Sequence, residues 1–257
     1  MPGAPVPGPI DAGKLERRLA GRYHCLQMRP VYAHLAIAAA VCLAAASCAT
    51  APALRGEWNV PTERPALAAG TDAIRARLGE GARSVLGAKE LVVNGRRFSM
   101  DCTGTVLAIY WYAGIDLARD FGRYSGGGVT RLYRTLEDAS LLYTTREPIL
   151  GDLVFWDDTY DADGDGAWDD PLTHVGMVME TAADGTISYI HLNYRQGIVI
   201  ERMNLREPDV HQRVRGGGVT IVNSPLRMAE KGRPHPDRWL AGQLYRVLGM
   251  GYLYSPR

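Results

Sequence analysis

The stretch Asp101-Cys102-Thr103-Gly104-Thr105-Val106-Leu107-Ala108-Ile109-Tyr110-Trp111-Tyr112-Ala113-Gly114 decides how the rest of the chain is read. An aspartate stands directly before a cysteine, a nearly continuous apolar run follows, and a glycine closes it. A carboxylate at the N-cap accepts from N–H groups that the first helical turn leaves free. The pattern therefore predicts a buried helix over 102–113 with Cys102 in its first turn. A thiol attacks only as thiolate, and a helix N-terminus stabilises an anion. The position suits a nucleophilic cysteine.

Cysteine usage sharpens this. The four cysteines are Cys25, Cys42, Cys48 and Cys102, and three of them lie in or before an apolar leader. A secreted domain stapled by disulfides would hold an even set in its folded part. Here that part holds Cys102 alone.

Upstream, Thr71 is placed to cap a helix through about Leu86, with Ile74, Leu78, Ala82 and Val85 on one face and Gly79 and Gly81 weakening it. Residues 91–98 read as a strand or loop. Downstream, 129–142 has helical spacing, with Leu132, Leu136 and Ala139 inward. The chain then changes period. Leu153–Trp156, His174–Glu180, Thr186–Leu192 and Gly197–Met203 read as four strands, with Asp184-Gly185 as a hairpin turn between the second and third. Helices followed by a run of antiparallel strands predict an α+β domain. From about Pro208 the chain is rich in glycine and proline, and a short helix over 238–249 is expected to pack back on the domain.

Two histidines fall where they can serve Cys102. His174 opens a strand directly after a loop, and His191 sits on the next strand of the same hairpin. A histidine base needs a partner that holds its ring and tautomer. Facing residues on paired strands have Cβ atoms about 4.5–5.5 Å apart, so His191 can be that partner. Asn193, on the same strand face, is the alternative. The order cysteine, histidine, polar orienter is that of papain-like proteases. His211 and His235 lie in polar, loop-like segments and are given no role.

At this point a resemblance becomes specific. Asp101-Cys102-Thr103-Gly104 is similar to the D-C-[ST]-G nucleophile motif of the NlpC-type cell-wall cysteine peptidases. Gly151-Asp152-Leu153-Val154-Phe155-Trp156 resembles their G-D-L-V-F-[FW] strand, and His174-Val175-Gly176-Met177-Val178 their H-V-G-[IM]-[YV] strand. Ile190-His191, followed by Gly197-Ile198-Val199-Ile200, resembles the strand with the third catalytic residue and its follower. The motifs keep order and approximate spacing over residues 71–203. The resemblance implies a papain-like α+β fold with N-terminal helices, and a nucleophile at a helix N-terminus packed on an antiparallel sheet. It implies hydrolysis of amide bonds in peptidoglycan stem peptides, among them the D-glutamyl-diaminopimelate bond. Cys102, His174 and His191 would form the triad. Three departures stand out. Leu150 replaces the proline before G-D-L. Phe98 is the nearest residue to the tyrosine usually found before the nucleophile, and it has no hydroxyl. Residues 157–173 are an insertion ahead of the base. A CHAP-like amidase shares the Cys/His logic, and a catalytically dead wall-binding lipoprotein is the reading from another class.

The insertion carries Asp161, Asp163, Asp165 and Asp169 around Gly164 and Gly166. Alternating carboxylates in a tight loop can converge on one hard cation, and calcium is the expected ion. The alternative is a solvated acidic turn, because Leu172 stands where an EF-hand loop has glutamate. The set has no close His/Cys ligands, which argues against zinc. No cofactor is expected for catalysis itself.

The ends of the chain suggest location. Residues 31–46, VYAHLAIAAAVCLAAA, suit a signal-peptide core, with Arg29 before them. Ser47-Cys48-Ala49 resembles a lipoprotein processing site that would lipidate Cys48, and cleavage near Ala46 or Ala51 is the alternative. Residues 1–27 are Pro/Gly-rich and then basic, and Met28-Arg29 would make a more ordinary start. The expected organisation is a leader over 1–48, a linker over 49–68, a peptidase domain over 69–207 and an extension over 208–257. The expected location is the cell envelope, either periplasmic or held to the membrane by lipid. Hydrophobic residues make up 46% and charged residues 22%, which fits a globular fold. A formal net charge of +1 gives no electrostatic case for nucleic acid as a partner. A monomer acting on wall peptide is expected.

Overall fold

The computed structural model describes residues 60–67, 70–228 and 236–255. The leader, Cys48, His235 and most of the linker lie outside the described residues. The linker's end does not hang free: Pro61 O accepts the Thr144 N–H at 2.8 Å, and Val60 and Leu67 pack on the core.

Among the described residues the domain is α+β, with three α-helices and antiparallel sheets. Helix α1 (Thr71–Val85) buries Leu78, Ala82 and Val85, as its periodicity predicts. Gly70 occupies the N-cap, and Thr71 is the first helical residue rather than the cap. A hairpin follows, β1 (Leu91–Val93) and β2 (Arg96–Phe98). Its turn is Asn94-Gly95, both at positive φ (47° and 75°), which is the demand of a two-residue hairpin turn. The Asn-Gly pair was the available signal for pairing, and it makes 91–98 a hairpin rather than a single strand or loop.

Helix α2 (Cys102–Tyr112) starts where Asp101 requires. Asp101 is extended, and its carboxylate accepts the Gly104 N–H at 2.6 Å. Burial almost all round, from Thr103 through Tyr110, explains the nearly continuous apolar run. Gly104 is fixed by contact. A Cβ there would lie 1.9 Å from the Ser99 carbonyl oxygen, so only glycine lets the approach to the helix pass this close.

Helix α3 (Gly128–Asp138) ends four residues before the expected 142. Ser140 takes a left-handed φ of 57°, and Leu142–Tyr143 turn into strand β3. Leu132 and Leu136 are buried as expected, and Ala139 is the half-buried C-cap.

Strands β4 (Leu153–Trp156), β5 (His174–Thr181), β6 (Ile187–Asn193) and β7 (Gly197–Met203) occur as predicted, and Gly185 at φ 84° turns β5 into β6. Beyond them, β8 (Gln212–Arg215) and β9 (Gly218–Ile221) form a separate two-stranded hairpin.

The expected C-terminal helix over 238–249 is corrected. Tyr245–Gly249 is strand β10, and the main sheet runs β3-β10-β4-β5-β6-β7, all antiparallel. The physical reason is the open side of β4. Its four residues are all buried, so the backbone groups on that side need a ladder partner. Five apolar-rich residues near the terminus satisfy them as a strand and would not as a helix. Within the expected 208–257 extension, Tyr245–Gly249 therefore belongs to the main sheet. Trp156 Nε1 also donates to Ala241 O at 2.9 Å, which ties the preceding turn to the same sheet.

The Gly151-Asp152 pair that opens β4 has a structural use. Asp152 is fully buried, and its carboxylate accepts from Ile149 N–H, Tyr143 O–H and Tyr252 O–H at 2.7, 2.5 and 3.1 Å. These bonds pin the start of β4 to β3 and to the residues after β10.

Candidate active site

Cys102 is half-buried at the first position of α2, beside strand β5. The ladder explains how it is met. Val178 donates to Asp152 O at 2.8 Å, and antiparallel alternation then turns the Val175 N–H away from β4. Paired register with β6 begins only at Met177, opposite Ile190. The Val175 N–H is therefore outside the ladder with β4 and the paired part of the ladder with β6, and it acts to lower the Cys102 thiol pKa. Burial pushes the thiol above its ordinary pKa; the charge of Asp101 adds to this, while the Val175 N–H and the N–H and hydroxyl of Thr103 work against it. The resting cysteine is a neutral thiol, so the helix end does not ionise it unaided.

His174 and His191 meet. His174 Nε2 lies 2.9 Å from His191 Nδ1, with the rings nearly perpendicular at 85°. The two are offset along the strands rather than directly opposed. Gly176 is the residue against His191: a Cβ on it would stand 2.9 Å from Ile190 O, 3.2 Å from the Trp156 ring and 3.3 Å from His191 Cβ. The glycine of His174-Val175-Gly176 makes the room in which His191 reaches its partner. Burial, and then the charge of His191, hold His174 well below the ordinary histidine pKa. It is a neutral ring at neutral pH and can accept a proton.

Asn193, the alternative orienter, does something else. Its Nδ2 donates to Glu201 Oε1 at 3.0 Å, and its Oδ1 accepts from the N–H groups of Arg195 and Gln196 in the β6–β7 turn. Glu201 in turn sets its Oε2 3.1 Å from His191 Nε2. Sequence reasoning missed Glu201. The three-residue turn between Asn193 and Gly197 carried the signal, because it fixes the register that pairs Glu201 with Tyr189, two residues from His191.

Cys102, His174 and His191 line one cleft of about 880 Å³. One wall was not foreseen. Tyr160 and Thr159 of the insertion, with Leu226, Arg227 and Trp239 from the C-terminal region, line the same cleft. One backbone bond and one side-chain bond stitch the two segments together, with Met228 N–H donating to Thr159 O at 2.9 Å and the Arg227 guanidinium Nη1 to Asp158 O at 2.7 Å. Burial raises the Tyr160 pKa, and the charge that Cys102 carries when ionised raises it further. His211, expected in a solvated segment, is half-buried, within hydrogen-bond distance of Asn223 O at 2.9 Å, with its ring tilted at 54° against Trp239.

The acidic loop converges differently from the expected set. Carboxylates of Asp161, Asp163 and Asp170 come within 4.8 Å of one another; among the described residues, Asp165 and Asp169 do not join that group. Asp165 accepts the Ala167 N–H instead, and Asp161 accepts from Gly164 and Gly166. The turn is closed by its own amides, and buried Asp170 was the member the sequence pattern overlooked.

Among the described residues no helix is long and apolar enough to cross a membrane. No protein-family model, curated protein or solved structure matches this chain.

Proposed function

We propose that this chain is a papain-like cysteine peptidase that hydrolyses amide bonds of peptidoglycan stem peptides. The observation that carries the reading is the shared cleft: a half-buried thiol at a helix N-terminus, favoured as anion by the Val175 N–H, lining the same cleft as a neutral His174 paired with His191. The motifs similar to those of the NlpC-type peptidases supply the substrate class. In the reaction His174 takes the thiol proton as sulfur attacks the carbonyl carbon. The same ring returns that proton to the leaving amine, and water then hydrolyses the thioester. Because burial keeps thiol and imidazole neutral at rest, the charged pair forms with substrate in place. The α2 N-terminus and the Val175 N–H favour the negative partner.

The reading extends to the cell envelope. Residues 31–46 would direct export and Cys48 would carry the lipid.

The test is digestion of purified peptidoglycan by the full chain, with fragment masses read by mass spectrometry. New stem-peptide ends are expected, and Cys102→Ala should lose several orders of magnitude in rate because the covalent route is gone. Separation of intact stem peptides from the sugar would instead assign a CHAP-like amidase. Equal activity in Cys102→Ala would overturn cysteine catalysis altogether.

A further inference from the structure

Resting on that reading of the cleft, we infer that Glu201 is a positioning residue that sets the tautomers of both histidines and supports the charge that His174 gains. His191 Nε2 is buried and has no well-angled hydrogen bond among the described residues; the acceptor beside it is Glu201 Oε2 at 3.1 Å. A buried ring nitrogen is costly to leave unmatched. Glu201 is only 13% exposed, held by the Asn193 amide through its other oxygen at 3.0 Å and approached by the Tyr189 hydroxyl at 3.4 Å. Two neighbouring side chains thus aim the carboxylate at the ring.

The consequence follows by elimination. An ionised carboxylate only accepts, so His191 carries its proton on Nε2. In the neutral ring Nδ1 is then a lone pair and receives a hydrogen from His174 Nε2, 2.9 Å away. His174 is left with its lone pair on Nδ1, the nitrogen that remains to take the thiol proton in the shared cleft. One carboxylate on β7 therefore decides which nitrogen of a histidine on β5 is the base. When His174 gains a proton, its charge rests against a ring whose far N–H is polarised by Glu201, so the imidazolium is favoured without direct contact. The titratable groups facing this line are Asp101 and Cys102 from α2, Tyr189 from β6 and Tyr160 from the insertion.

Two measurements on the full chain test it. Nitrogen-15 NMR at neutral pH should find both rings as the Nε2–H tautomer; an Nδ1–H tautomer on either ring overturns the inference. Glu201→Gln keeps the shape and an acceptor but removes the charge. Alkylation of Cys102 by iodoacetamide at neutral pH should slow at least tenfold, with its pH profile moved upward, and hydrolysis should lose kcat with little change in KM. Glu201→Asp should recover part of both, which also answers for any loss of fold in the glutamine variant. An unchanged alkylation profile in a folded Glu201→Gln protein overturns the inference. Wild-type protein with the stated tautomers that cuts no wall peptide defeats the peptidase reading and leaves the Glu201 assignment standing.

Discussion

Replacing Asp152 by asparagine should remove a pH dependence of stability that the wild type carries between about pH 4 and pH 6. Burial raises the Asp152 pKa from 3.8 to about 6, against the opposing bonds from Ile149 N–H and the Tyr143 and Tyr252 hydroxyls. A carboxyl whose folded pKa lies above its unfolded value binds its proton more tightly when folded. Its contribution is fully present below about pH 4 and is lost as pH rises through 6. A gap of about 2 in pKa is worth about 3 kcal/mol, at about 1.4 kcal/mol each. Asparagine suits the site: its oxygen can accept from Ile149 and Tyr143, and its NH₂ can donate to the Tyr252 hydroxyl. Urea titrations of both proteins at pH 4 to 7.5 give the stability difference at each pH, and groups common to both cancel. The wild type should lose about 3 kcal/mol relative to the variant across that range. A difference that stays constant with pH would refute a buried, titrating Asp152.

On the proposed peptidase reading, His191→Ala should lower turnover on wall peptide by roughly a hundredfold or more, within the range that one positioned acid–base group supplies. Asn193→Ala, which only loosens Glu201, should cost much less, and the reverse order would show that Asn193 orients the base. Gly104→Ala would place a methyl carbon 1.9 Å from Ser99 O, so it should cost at least about 3 kcal/mol, at or beyond the usual overpacking range. An unchanged melting temperature would contradict the geometry. Calcium at a hundred times its dissociation constant should add about 2.7 kcal/mol through Asp161, Asp163 and Asp170, and Asp163→Ala should abolish the gain. No change in melting with calcium or with a chelator would leave the loop a self-closed turn.

Much of the site was legible because its signals are local. Asp101 caps the helix that begins at Cys102, and that requirement sits within four residues. The β5–β6 hairpin is set by Asp184-Gly185, which brings His174 and His191 to neighbouring strands. Where the sequence reading failed, the deciding contact was distant. Residues 245–249 have short apolar spacing that fits either helix or strand. The unpaired side of β4, almost ninety residues earlier, settled it through Tyr245↔Trp156 and its neighbours. In the same way α3 stops at Asp138 so that Leu142–Tyr143 can pair with β10.

The sequence alone determined the α+β class, the four strands β4 to β7, the helix that carries Cys102, and the two histidines that could attend it. Each is written in periodicity, capping or turn chemistry within a few residues. Tertiary structure alone decided that Gly176 opens the space for His191 and that Glu201 closes the line behind it. It also decided that Tyr160, Arg227 and Trp239 share the cleft wall, and that burial keeps the Cys102 thiol and the His174 ring neutral. Those outcomes depend on ladder register and on exclusion of water by segments far apart in the chain. No local pattern records them, because desolvation and cross-strand contact arise only when the segments pack together.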